Sequence, residues 1–112
     1  MVTVAIYRVQ GRITGYNIRG HAGYRPRGED IVCAAVSMLA QTTVLGLARY
    51  INGLAYNVDE SGVLRCSLPE GLNETQLIQA DAILETMTAG LRNLQRDYSQ
   101  YLRVFKRRWT SC

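Results

Sequence analysis

The chain has 112 residues, 47% apolar and 20% charged, a balance that gives one globular domain its own core and excludes a disordered or fibrous segment. The formal charge of +4 is mildly basic, and Lys106 is the lone lysine among thirteen cationic residues. Arginine forks favour carboxylate, phosphate or peptide partners, but so modest an excess does not by itself define a nucleic-acid binder.

From the N-terminus, residues 2–9 and 13–20 read as two β-strands joined by Gln10-Gly11-Arg12. Val2, Val4 and Ile6 alternate with Thr3, Ala5 and Tyr7, so one face enters a core. Met1-Val2-Thr3-Val4 does not resemble a secretory leader. A Gly-, Pro- and Arg-rich loop follows at 21–29, and a helix is expected from Asp30, as N-cap, to about Asn52, closed by Gly53. Residues 31–48 carry no charge, the lower edge of a membrane span. Ser37, Gln41, Thr42 and Thr43 interrupt that run, however, so a core helix with no membrane role is expected.

Residues 55–59 and 63–68 form a second expected hairpin around Glu60-Ser61-Gly62. Asn73 with Gln76 has the spacing of a capping box, opening a helix to about Tyr98. Leu77, Leu84, Leu91 and Tyr98 recur every seven residues along it, a seam whose three leucines should be buried. Residues 101–109 alternate as a closing strand ending in Lys106-Arg107-Arg108. The expected fold is therefore a single α+β domain over 1–112, in the order ββαββαβ, with a mainly antiparallel sheet and two long helices.

The chemistry concentrates between residues 20 and 37. The three cysteines, at 33, 66 and 112, include no Cys-x-x-Cys pair, so zinc-finger and thioredoxin-type motifs do not fit. Reduced thiols suit a cytoplasmic setting, and neither metal nor cofactor is expected. Cys66 falls on the apolar face of its strand and reads as core. Cys33 falls near the expected helix start, and His21, the one histidine, precedes it by twelve residues. A helix N-terminus and an imidazole both favour a thiolate, which makes this pair the candidate nucleophile and base. At about 100° per residue, Asp30, Cys33, Ser37 and Gln41 share an arc of about 80° on an otherwise apolar helix, so the stripe should line a cleft.

Gly20-His21-Ala22, followed by Gly28-Glu29-Asp30-Ile31-Val32-Cys33-Ala34-Ala35-Val36-Ser37, resembles the signature of the bacterial ribosomal-processing cysteine proteases, the Prp family. That resemblance implies a cytoplasmic homodimeric endopeptidase that works near the ribosome. It would remove an N-terminal extension from a large-subunit ribosomal protein, cutting after an apolar, aromatic-rich segment. It assigns Cys33 as nucleophile and His21 as general base and acid, with Asp30 and Ser37 in the supporting motif and Gly20 giving the histidine loop freedom to swing. Arg25 and Arg27 then become candidate contacts to peptide carbonyls or carboxylates, and first-turn N–H groups become candidate oxyanion donors. The group that would orient His21 stays open, because an Asp30 charge beside Cys33 would oppose the thiolate. The rival class is a non-catalytic RNA- or ribosome-associated module built on Arg103, Lys106, Arg107 and Arg108, with Tyr101, Phe105 and Trp109 between them.

Overall fold

A computed structural model describes residues 1–20 and 27–108. Strand β1 spans Val2–Val9 and β2 Arg12–Arg19. Gln10 and Gly11 turn the chain between them with φ of 51° and 81°, the doubly positive geometry that matches the twist of a two-residue hairpin. A bulge falls where Tyr7 pairs with Gly15 and Arg8 with Ile13. The extra residue, Thr14, changes the parity of β2, so Ile13 joins Tyr16 and Ile18 on the core side.

Helix α1 spans Arg27–Ala48, β3 Ala55–Val58, β4 Leu64–Ser67, α2 Glu74–Asp97 and β5 Leu102–Arg108. The observed order is the ββαββαβ read from the sequence. The strands lie as β3-β4-β2-β1-β5, antiparallel throughout except for β5, which runs parallel to β1. Both helices pack on one face. Tyr16 donates from its hydroxyl to the Ala40 carbonyl of α1 at 3.0 Å, and Arg8 grips Glu85 of α2 through two 2.9 Å bonds. The core between the layers contains Val4, Ile6, Tyr16, Val32, Leu84 and Leu91, each at 1% exposure or less.

Asn73 caps α2 as its spacing predicts: its side chain accepts from the Gln76 N–H while Gln76 reaches back to the Asn73 N–H. Along the seam Ala80, Leu84, Met87 and Leu91 are buried. Leu77 departs from the expectation and is half-buried, because the first turn of α2 borders a depression shared with Leu68, Pro69 and Leu72.

Helix α1 differs from its expected bounds at both ends. It starts three residues earlier, at Arg27, which makes Asp30 a first-turn residue rather than the N-cap. It also stops at Ala48, where Arg49, Tyr50 and Ile51 turn back on carbonyls of Gly46 and Leu47, leaving Gly53, at φ 85°, in the following loop. The helix is long and apolar enough to cross a membrane by composition, yet Val32, Val36, Ala40, Thr43 and Leu47 make it one layer of the core. Its opposite side leaves Ile31, Met38 and Leu45 exposed.

Candidate active site

The sheet is wider than the helical layer, and this difference creates the site. Beyond the edge of α1 the sheet surface continues through β4 to β3, whose residues are all exposed. The step between them is a groove of about 250 Å³. Cys33, Ser37 and Gln41 form its helical wall, while Tyr56, Val58 and Leu64 form the sheet wall. Gly20, at the end of β2, lines the same groove. A β-carbon at that position would lie 3.2 Å from the Val2 side chain, so glycine lets the chain leave the sheet close against β1.

The predicted polar stripe is thus present in three of its four members. Gln41 donates from Nε2 to Ser37 Oγ at 2.9 Å, one helical turn apart, giving the wall a hydrogen-bonded polar rim. Asp30 is exposed and is not among the groove residues. Arg27 opens α1. His21 and Arg25 lie outside the described residues.

The early start of α1 changes one chemical expectation. Cys33 is the seventh residue of the helix, so its N–H falls within the helical ladder rather than among the free donors of the first turn. The Cys33 N–H is therefore not the oxyanion donor that a helix starting at Asp30 would have supplied.

The two described thiols occupy different environments. Cys33 is half-buried on the groove. Cys66 is buried in the core at 3% exposure, where burial pushes its thiol pKa up and only partly yields to a hydrogen bond with Tyr16. A buried, protonated thiol is a poor nucleophile, which leaves Cys33 as the chemically usable one of the pair. The sequence had also shown β3, but not that Tyr56 and Val58 would face Cys33. Their parity matches that of Leu64 and Cys66 on the neighbouring strand, yet only the strand order brings that face beside the helix.

Known proteins share the sequence and the fold of this chain. The family described as Cysteine protease Prp matches residues 1–103. The ribosomal processing cysteine protease Prp of Bacillus subtilis (strain 168) is 31% identical over 108 residues, covering 93% of this chain and 96% of that protein. Its counterpart in Staphylococcus aureus (strain NCTC 8325 / PS 47) is 28% identical, covering 93% and 97%. The crystal structure of the essential ribosomal processing protease Prp from S. aureus in complex with a substrate peptide superposes with a TM-score of 0.82 at 25% identity, covering 96% of this chain and all of the other. The same protease with a covalently linked product peptide gives 0.78 at 26% identity, covering 96% of this chain and 100% of that one.

Proposed function

The chain belongs to the Prp family of cysteine proteases, and from that premise we propose that it removes the N-terminal extension of a large-subunit ribosomal protein, with Cys33 as nucleophile and His21 as general base and acid. It is a cysteine protease. The observation that supports this assignment most directly is the shared groove: Cys33 faces an apolar strand wall, and Gly20, which directly precedes His21 in the chain, lines the same space. The walls suit an extended, apolar peptide segment.

In this reading Cys33 loses its proton to His21 and attacks the scissile carbonyl, forming the C–S bond. His21 returns that proton to the departing amine as the C–N bond breaks. Water, deprotonated by His21, then attacks the thioester and releases the new carboxylate and the thiol. Ser37 and Gln41 supply hydrogen-bonding groups along the peptide, and Arg25 and Arg27 reach its carbonyls or carboxylates. Asp30 acts as a first-turn acid that complements the helix dipole. The work is cytoplasmic, where the thiol stays reduced. Family membership sets aside a non-catalytic module as the primary activity.

Two measurements test this reading. A peptide spanning the extension junction should yield two fragments by mass spectrometry. Limiting iodoacetamide should alkylate Cys33 well ahead of Cys66 and stop cleavage in step with that labelling. Intact turnover after complete alkylation of Cys33 would end the assignment.

The functional unit is a homodimer joined through the outer side of α1. Only 28% of the apolar Asp30–Ala48 stretch is buried within one copy, and Ile31, Met38 and Leu45 are 52%, 64% and 71% exposed along that side. A second copy of the same helix supplies a matching surface. Light scattering is expected to report twice the chain mass at micromolar concentration, and Met38→Glu with Leu45→Glu is expected to reduce it to one chain mass. A monomeric parent protein would refute the dimer.

A further inference from the structure

The sheet face opposite the helices has a composition the protease reaction does not use. Strand register fixes which residues share it. Thr3 of β1 lies between Arg19 of β2 and Arg103 of β5. Ala5 lies between Asn17 and Phe105, and Asn17 in turn pairs with Arg65 of β4. Tyr7 lies beside Arg107. Paired residues project to the same side, and Thr3, Ala5 and Tyr7 alternate with Val4 and Ile6, which enter the core. Four arginines and two aromatic rings therefore meet on one surface, and its paired strand positions carry no Asp or Glu.

The arginines do not simply radiate into water. The guanidinium groups of Arg103 and Arg107 approach the Phe105 ring, 5.3 and 5.2 Å from its centroid, so both cations pack against one aromatic ring. Beside it a depression of about 390 Å³ is bounded by Tyr7, Asn17, Arg65, Ser67 and Arg107. Asn17 donates to the Tyr7 hydroxyl at 2.8 Å, which holds that ring in place. At the rim Asp59 ties down Arg65 at 2.9 Å. Lys106, adjacent in sequence, alternates to the helix side, where its charge acts on Glu85, so the basic run of the sequence is divided between two surfaces.

We propose that this open face binds single-stranded RNA. Guanidinium planes and aromatic rings give bases a stacking surface, arginine forks meet phosphates, and the neutral Asn and Ser side chains between them suit the 2′-hydroxyl. A lipid surface would call for protruding apolar side chains, which the described residues of this face do not offer, and an acidic peptide would make no use of the rings. The RNA site lies across the sheet from the Cys33 groove, so it holds RNA while that groove remains open to a peptide.

Fluorescence anisotropy with a labelled RNA of about 12 nucleotides tests this. The wild-type protein should bind, with affinity falling as salt rises. Arg103→Ala with Arg107→Ala should weaken binding at least tenfold and reduce the slope of log affinity against log salt by about 1.4, two phosphate contacts on a single strand. Phe105→Leu keeps an apolar side chain at this half-buried position and should weaken binding roughly fivefold or more through lost stacking. Both variants should keep the parent melting temperature and the parent cleavage rate on a free peptide. No binding by the folded wild-type protein at low salt, or unchanged affinity in both variants, would overturn the proposal. So would equal affinity for polyglutamate or for vesicles rich in phosphatidylserine.

Discussion

Replacing Cys33 with alanine is expected to abolish peptide cleavage while leaving a folded protein. The thiol is half-buried on the rim of a groove, and alanine is the residue that an α-helix accepts most readily, so the stability change should be about 1 kcal/mol or less. The loss of turnover should be on the order of 10⁴-fold or more, because the described lining of the groove holds no second thiol to form the acyl intermediate. Cys33→Ser keeps a nucleophile of much lower acidity and should show traces of activity at most. His21→Ala should approach the Cys33→Ala loss, with the double variant little worse than either, as expected of two residues acting as one unit. Cys66→Ala is the control: it should cleave at the parent rate and lose stability alone, since its side chain fills core space. Chromatography of the peptide products, with circular dichroism of each variant, reads all of these outcomes. Substantial turnover by folded Cys33→Ala would remove the thiol from the mechanism.

Leu91→Ala should be the most damaging of the simple truncations along α2. Leu91 is fully buried at 0% exposure in the seam that faces the sheet. Removing its side chain should cost about 2–5 kcal/mol, the range for a buried leucine whose surroundings relax only in part. Domains of this size are stable by about 5–15 kcal/mol, so the variant should melt at least roughly 10 °C lower. Leu77→Ala, at the half-buried start of the same seam, should cost clearly less. Urea unfolding would separate the two: a lower midpoint with an unchanged slope for Leu91→Ala, and a much smaller shift for Leu77→Ala. Equal losses would mean that the seam is not what joins α2 to the sheet.

The contrast between these leucines shows how much of the molecule could be read in advance. Local signals were sufficient for α2, where Asn73 and Gln76 cap each other and the seven-residue spacing marks the buried side. They were sufficient for the first hairpin, where Gly11 readily takes the positive φ the turn requires and Gln10 adopts it beside that glycine. The start of α1 lies before the expected one: Asp30 has the chemistry of a cap, and an acidic residue in the first turn is favoured for the same electrostatic reason. At the site, helical periodicity was enough to put Cys33, Ser37 and Gln41 together. The opposite wall was not legible, since Tyr56 and Val58 reach the groove only through the lateral order of strands. Strand order depends on contacts between residues far apart in the chain, and no local pattern records it.

Placing β5 alongside β1 has a consequence for how the protein comes into being during synthesis. Of the five described strands, the first to be made pairs in register with the last, from Val2 beside Leu102 to Arg8 beside Arg108. Until residues 102–108 have been added, one edge of β1 has no hydrogen-bonding neighbour and is open to other unfinished chains. A nascent chain ending before Leu102 would have both helices and four strands, yet its sheet would end at β1. The growing polypeptide should consequently stay open to such contacts until the closing strand is in place.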